Sequence, residues 1–168
     1  MFFQQQVGKA VALSYVSGMK VRPSALIWRK SNSQIEVLFM RYSYGGQDVF
    51  ALPGGSPNRG EILPETIVRE IREELGVLIE VGEMILAGEM LLTERNDDVL
   101  HVVFAVRTFT GTPVLNSDET TALDVVWKPI NELGNLNLYP NIGARLQPWF
   151  DSASYLGYIG RIEQQYFG

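Results

Sequence analysis

The chain contains no cysteine and only one histidine among its 168 residues. Disulfide bonds and thiolate metal sites are therefore excluded, and the absence of cysteine fits a reducing compartment. We predict a cytoplasmic protein on this ground. The single histidine, His101, lies in the apolar run Val99 to Ala105, which is typical of a strand rather than of a catalytic residue, and we assign it no role.

Long apolar runs and an excess of basic residues are also missing. No run approaches the roughly 18 to 20 apolar residues of a membrane span. The first 18 residues lack the basic start and the long apolar core of a signal peptide. The net charge of −5 argues against a large nucleic-acid interface, which needs a basic surface. We predict a small phosphorylated substrate as the partner, no membrane and no nucleic acid, and we leave a homodimer open.

Length and composition indicate one globular domain, since 46 % of the 168 residues are hydrophobic and 20 % are charged. We interpret residues 1–18 as an N-terminal extension and residues 19–168 as the domain. β-like runs surround one long helix. The predicted strands are 24–28, 35–41, 49–52, 78–92, 99–108 and 123–127, and the predicted helices are 63–75, 129–133 and 142–149. This mixture predicts an α/β fold, an α/β/α sandwich with a mixed β-sheet.

The long helix carries three carboxylates on one face. Glu70, Glu73 and Glu74 are spaced i, i+3 and i+4, so they fall within an arc of roughly 100°. Like charges so arranged repel one another and raise one another's pKa unless a cation lies among them. Oxygen ligands without cysteine or a nearby histidine favour Mg²⁺ or Mn²⁺ over zinc. Because Mg²⁺ usually keeps positions for water and substrate phosphates, this face predicts catalysis.

Residues around the acidic face fit the same interpretation. Pro64 suits the first turn of a helix and Gly76 suits the residue just past its end. Arg69 lies one turn before Glu73, where it can hold that carboxylate with a charge-assisted hydrogen bond. The apolar stripe beside the acidic face comprises Ile67, Val68, Ile71 and Leu75. The approach loop contains glycines that allow close backbone contact with an ion or phosphate, namely Gly54, Gly55 and Gly60.

The segment resembles the Nudix box, the defining motif of the Nudix (MutT-like) hydrolase family, G-x5-E-x7-R-E-U-x-E-E-x-G-U, where U is a bulky aliphatic residue. Every fixed position is matched, by Gly55, Glu61, Arg69, Glu70, Ile71, Glu73, Glu74, Gly76 and Val77. Nine specified positions make a chance match very improbable, and the preceding Leu-Pro-Gly-Gly is also typical of the family. Three positions outside the defining set differ, because many members have an acidic residue at Asn58 and alanine at Thr66 and Ile67.

The resemblance implies metal-dependent hydrolysis of a nucleoside diphosphate linked to another group. It implies that the metal ligands are Glu70, Glu73 and Glu74 with the carbonyl of Gly54. It also implies that Gly55, Glu61 and Arg69 support these ligands. We expect Arg69 to be a catalytic residue as well. The general base is Glu73 or Glu119, because family members often supply a carboxylate from the loop that holds Glu119. The alternative for that loop is an exposed acidic turn.

The identity of the substrate is less constrained. A second acidic stretch at 94–98 also offers a carboxylate, and its Arg95 is a candidate phosphate ligand, with a solvated hairpin as the alternative. Tyr44 and Phe50 are candidates for stacking on a base, although aromatic residues more commonly pack in cores. Family markers for ADP-ribose, dinucleoside polyphosphates and coenzyme A are missing. Nucleoside triphosphates are the first expectation, ADP-ribose or a nucleotide sugar is the second, and a non-catalytic ligand sensor is the third.

Overall fold

The structure is a computed structural model that describes residues 18–91, 98–152 and 155–164. The strands of this part of the chain are β1 (Lys20–Leu26), β2 (Trp28–Ser31), β3 (Gln34–Tyr44), β4 (Gln47–Ala51), β5 (Leu78–Met90), β6 (Val99–Thr110), β7 (Asp124–Pro129), β8 (Leu138–Tyr139) and β9 (Gly157–Arg161). Its helices are α1 (Leu63–Leu75), the 3-10 helix Ile130–Asn135 and α2 (Gly143–Ser152).

The strands form two sheets, where the sequence predicts one. The first sheet has four strands in the order β1-β6-β5-β9, and the second has five, with the order β2-β3-β4-β8 and β7 on β3. Both sheets are mixed, since β1 pairs with β6 and β8 pairs with β4 in parallel, whereas β6 pairs with β5 and β4 with β3 in antiparallel fashion. The predicted α/β class with mixed pairing is confirmed.

The predicted strand 24–28 is divided between the two sheets. β1 ends at Leu26 in the first sheet and β2 begins at Trp28 in the second. Ala25, Leu26 and Ile27 are all fully buried, which is not the alternation of a half-exposed strand, because this segment crosses between packed layers. A hairpin turn joins β2 to β3, and both of its central residues, Asn32 and Ser33, have positive φ, as a two-residue hairpin of this type requires.

The core lies on both faces of the central strands. Leu38 and Met40 of β3 pack into a cluster with α1, while Phe39, between them, packs into a second cluster with Leu146 of α2. Helices therefore cover opposite faces of the strands, as the sandwich predicts. The predicted stripe of α1 is fully buried at Ile67, Ile71 and Leu75. The prediction is wrong for Val68, which is 37 % exposed because it lies farther round the helix.

The limits of α1 match the sequence prediction. Pro64 occupies the first turn, and Gly76 takes the left-handed conformation with φ 66° while its N–H donates to the carbonyl of Arg72 at 3.1 Å. The side chain of Glu65 accepts the N–H of Ile62 at 3.1 Å, which satisfies one of the free donors at the helix start. Within the ranges that the structure describes, no helix is both long enough and apolar enough to cross a membrane.

Other elements differ from the prediction in extent. The predicted strand 78–92 corresponds to β5, which ends at Met90 and has irregular pairing with β6 around Val81 and Met84. The short helix at 129–133 is a 3-10 helix. β8 and β9 are absent from the prediction, because two residues give no periodic signal and β9 contains Gly157 and Gly160, which weaken strand propensity.

His101 is a fully buried titratable residue in the middle of β6. Its ring stands edge-on to Tyr139, with 5.2 Å between the ring centres. Burial, helped by the positive charge of Arg22, lowers the pKa of His101 from 6.5 to about 3. Among the described residues neither ring nitrogen has a hydrogen-bond partner. His101 is therefore a neutral core residue.

We expect the free energy of unfolding to fall less steeply at acidic pH in His101→Phe than in the parent protein. Because the pKa of His101 is depressed in the folded state, its full contribution to stability is present above pH 6.5 and is lost as the pH falls towards 3. The slope from this group reaches about 1.4 kcal/mol per pH unit. Urea unfolding of both proteins between pH 7 and 4 measures the difference. Parallel curves would show that His101 titrates normally.

Candidate active site

Two glycines bring the approach loop against its neighbours. Gly54 lies so close to β1 that a Cβ atom there would collide with the carbonyl oxygen of Pro23 and the Cα of Ser24. A Cβ atom at Gly55 would collide with the carboxylate of Glu70. The glycines therefore allow the loop to pack on the sheet and Glu70 to pack on the loop.

Arg69 binds three carboxylates at once. Its Nε and Nη2 donate to the two oxygens of Glu61 at 2.7 and 3.1 Å. Its Nη1 donates to Glu70 Oε1 at 2.9 Å and to Glu73 Oε2 at 3.0 Å. The sequence predicts only the contact with Glu73. The structure thus supplies a protein cation that offsets part of the repulsion on the acidic face.

Glu61 anchors this arginine. It accepts the backbone N–H of Asn58 at 2.9 Å, the Asn58 side-chain amide at 3.3 Å and the hydroxyl of Thr66 at 3.1 Å. The guanidinium of Arg69 and these donors lower the pKa of Glu61 from 4.5 to about 2. Glu61 is therefore ionised under all ordinary conditions. Asn58 and Thr66, two of the three residues that depart from the common family pattern, both donate hydrogen bonds to Glu61.

Glu74 is the most buried of the box glutamates, with 8 % exposure. Burial is the main cause that raises its pKa from 4.5 to about 7; the charge of Glu70 adds to it, and the hydroxyl of Thr120 and the charge of Arg22 oppose it. Within the described chain its Oε2 is buried without a hydrogen-bond partner. A buried carboxylate oxygen of this kind needs a proton or a cation.

The loop after β6 is fixed to the end of α1 by Asn116. The backbone N–H of Asn116 donates to the carbonyl of Glu74 at 2.8 Å, and its side-chain amide donates to the carbonyl of Glu73 at 3.1 Å. These bonds satisfy carbonyls that have no partner within the helix. They position residues 117–121 next to the carboxylate face of α1. Glu119 lines the cleft with Glu74 and also lines an adjoining groove with Arg69 and Glu73.

The cleft itself has a volume of about 920 Å³ and is lined by residues from both sheets, from α1 and from the loop after β6. Glu70 and Glu74 line it together with Tyr44, which is 46 % exposed and stacks on Tyr42 at 6.1 Å between ring centres. Polar, charged and aromatic groups therefore converge on a single concavity, the usual form of a small-molecule site.

Arg22 of β1 is a cleft residue that sequence reasoning missed. Its Nη2 donates to the carbonyl oxygen of Gly54 at 3.0 Å, and its side chain lines the cleft beside the carboxylates. The sequence gives no signal for it, because β1 also contains the charged Lys20 and the polar Ser24. The carbonyl that the family resemblance assigns to the metal thus has a protein donor in this structure.

Phe50, a predicted substrate contact, does not line the cleft. Phe50 is 7 % exposed and belongs to the core; Val49 and Ala51 line the cleft instead, because successive strand residues point to opposite faces. The Nζ of Lys128 lies 4.8 Å from the centre of the Phe50 ring. Phe50 therefore has no open ring face for a base. Arg95 and its acidic neighbours at 94–97 lie outside the described residues.

The residues present fit a divalent cation. Across the described ranges no three acidic side chains form a ready metal cluster, because Arg69 holds Glu70 and Glu73. The oxygen donors nevertheless share one helix face, and the unpartnered Oε2 of Glu74 lies among them. An all-oxygen set of this charge suits Mg²⁺ or Mn²⁺.

Comparisons of sequence and structure agree with this geometry. The family model described as NUDIX domain matches residues 20–150. The E. coli ORF135 protein is 22 % identical, with a TM-score of 0.65 over 81 % of this chain and 91 % of that chain. The MutT protein from Methanosarcina mazei Go1 is 21 % identical, with a TM-score of 0.66 over 84 % and 99 %.

A third similar structure is the NUDIX domain of Shewanella oneidensis NrtR complexed with ADP ribose, 16 % identical with a TM-score of 0.62 over 81 % of this chain and 88 % of that chain. Such low identities show a shared fold only. No curated protein sequence matches the chain. The family model covers most of the chain and contains the whole acidic motif, and we conclude that the chain belongs to the Nudix family.

Proposed function

We propose that this protein hydrolyses a phosphoric anhydride bond in a nucleoside diphosphate joined to a second group, with a nucleoside triphosphate as the first candidate substrate and Mg²⁺ or Mn²⁺ as cofactor. One observation carries the proposal. The complete set of box glutamates is present, and Glu70 and Glu74 line the same cleft as Arg22 and the exposed ring of Tyr44. Carboxylates for a cation, an arginine for phosphate and a ring for a base thus meet in one place.

The metal would be held by Glu70, Glu73 and Glu74. When bound, such an ion neutralises developing charge on phosphate oxygens and lowers the pKa of water. Arg69, fixed by Glu61, orients Glu70 and Glu73. Because Gly54 already accepts from Arg22, we propose its carbonyl as a ligand only if Arg22 turns towards the substrate.

The general base is Glu73 or Glu119. Both side chains lie in the groove beside Arg69, and Glu119 also lines the cleft. Arg69 Nη1 engages Oε2 of Glu73 at 3.0 Å. We favour Glu119 because its carboxylate has room in both concavities, and the variants described in the Discussion separate the two.

There are two alternatives to a nucleoside triphosphatase: a different substrate, or a role without catalysis. ADP-ribose and nucleotide sugars share the same anhydride chemistry; an ADP-ribose complex of a similar domain and a similar UDP-X diphosphatase structure favour including both. A ligand sensor without catalysis is a different class of function. Sensors of this fold are expected to lose box glutamates, and this chain keeps all of them. We therefore propose an enzyme.

A screen of nucleoside triphosphates, ADP-ribose and nucleotide sugars tests the proposal. Each compound is incubated with protein and Mg²⁺, and the products are resolved by anion-exchange chromatography. We expect cleavage of a phosphoric anhydride in at least one compound, with no cleavage by an equal amount of Glu74→Gln protein purified in the same way. Tight nucleotide binding without any cleavage would favour the sensor. The cytoplasmic location and the homodimer stay predictions.

A further inference from the structure

The chain continues past the family-matched residues 20–150 into a C-terminal strap, which we define as residues 157–164. The strap begins as β9, which pairs with β5 at the edge of the first sheet. It continues to Ile162, whose N–H donates to the carbonyl of Glu89 at 2.7 Å and whose side chain is 4 % exposed. A Cβ atom at Gly88 would collide with Ile162, so the packing there is close. The strap is thus part of the folded core.

The end of the strap is bonded to the second sheet. Gln164 Oε1 accepts the N–H of Asn141 at 2.9 Å, and Gln164 Nε2 donates to the carbonyl of Leu138 at 3.1 Å. The side-chain amide of Asn141 donates to the carbonyl of Glu163 at 3.1 Å. Three hydrogen bonds therefore connect the strap to residues 138–141. The strap bridges the two sheets whose residues line the cleft.

Tyr139 lies within the bonded segment and points into the site. Its side chain lines the cleft, as does that of Gln164, and Met90 at the end of β5 lines it as well. β8 contains only Leu138 and Tyr139, and it is paired with β4 at two positions alone. A pairing of only two residues constrains the backbone of β8 weakly. The bonds from the strap supply the additional constraint.

We infer that Gln164 is a positioning residue that determines substrate affinity, because it holds Tyr139, which lines the cleft together with Tyr44 and forms with it the aromatic wall against which the base of a nucleotide packs. The inference rests on the proposed function. A planar base gains from a fixed aromatic surface, since a mobile ring must lose its freedom when the ligand binds. In the proposed function, phosphate and metal contacts come from α1 and Arg22. A change that frees the Tyr139 ring should therefore weaken substrate binding without altering the groups that react.

Gln164→Met tests this inference, because methionine keeps the length of the side chain but has no amide. We expect KM for the best substrate to rise about 10-fold while kcat stays within about 2-fold, since preorganisation affects binding. The matched control is Glu163→Gln, at a neighbouring side chain that is 82 % exposed and lies 3.3 Å from Nε of Arg161. It should leave both constants unchanged.

A second comparison uses Tyr139→Leu and the double variant. If Gln164 acts through Tyr139, the two changes are not additive, and the double variant has nearly the KM of Tyr139→Leu. Fully additive effects, an unchanged KM in Gln164→Met, or an equal loss in kcat would overturn the inference. Hydrogen exchange at the Asn141 amide is independent of catalysis and should accelerate in Gln164→Met. Accelerated exchange in a protein that cleaves no nucleotide would overturn the proposed function and the affinity role, while confirming the structural bond.

Discussion

Glu74→Gln is expected to lower kcat by roughly 10³-fold or more, a loss of at least about 4 kcal/mol in transition-state stabilisation. The amide keeps the shape of the side chain but removes the charge that would bind a cation. Glu74 is the box glutamate with the greatest burial, and its Oε2 has no hydrogen-bond partner in the described chain. Among the described residues, the neighbouring carboxylates of Glu70 and Glu73 are already engaged by Arg69.

The same substitution should stabilise the metal-free protein at high pH. The folded-state pKa of Glu74 is raised from 4.5 to about 7, so its favourable contribution is present below pH 4.5 and is lost as the pH rises through 7. Glutamine does not ionise and avoids this loss. In excess chelator we expect Tm of Glu74→Gln to exceed that of the parent at pH 8, and the difference to shrink at pH 5.

Steady-state kinetics and thermal melts on the same preparations test both expectations. A variant that melts higher at pH 8 and has lost turnover identifies Glu74 as a functional carboxylate that costs stability. Full activity in Glu74→Gln would remove Glu74 from the site. A lower Tm at both pH values would assign the loss of activity to misfolding.

Glu119→Gln is expected to lower kcat by roughly 10²- to 10⁴-fold, the usual range for a positioned general base. Glu119 lies in the loop that Asn116 fixes to the end of α1, and its side chain lines both the cleft and the groove beside Glu73. A carboxylate on an anchored loop can be held within reach of water beside the substrate. Residues 116–119 are exposed, so the bonds of Asn116 to α1, and not burial, are what hold this turn at the site.

Asp118→Asn is the matched control, because Asp118 is the neighbouring carboxylate of the same loop and also lines the cleft. We expect it to cost little. Both variants are assayed with the best substrate of the nucleotide screen, next to Glu73→Gln. If Glu119→Gln keeps nearly full kcat while Glu73→Gln or a variant at Glu94, Asp97 or Asp98 loses it, the base lies elsewhere.

The sequence predicts the helix and its chemistry well because local rules govern both. Pro64 and Gly76 mark the ends of α1 at the residues where the structure has them. The spacing of the glutamates determines which side chains share a face, whatever the rest of the fold does. Even so, the network on Glu61 is fuller than predicted, because hydrogen bonds from Asn58 and Thr66 depend on how the loop folds back on the helix.

Features that depend on distant contacts are not visible in the sequence. Arg22 becomes a cleft residue only because the loop at Gly54 packs on β1. Phe50 turns away from the cleft because the pairing of β4 determines which face of the strand is buried. Gln164 reaches Leu138 from 26 positions along the chain, a contact that neither periodicity nor a motif encodes.

The metal requirement tests the central claim most directly. Purified protein is stripped with excess chelator, and hydrolysis of the best substrate is followed while Mg²⁺ or Mn²⁺ is titrated back. Because Arg69 offsets only part of the charge on the carboxylate face, we expect no turnover in chelator and saturable recovery with added metal. Glu74→Gln should fail to recover at the same metal concentrations. Undiminished turnover in excess chelator would contradict the account.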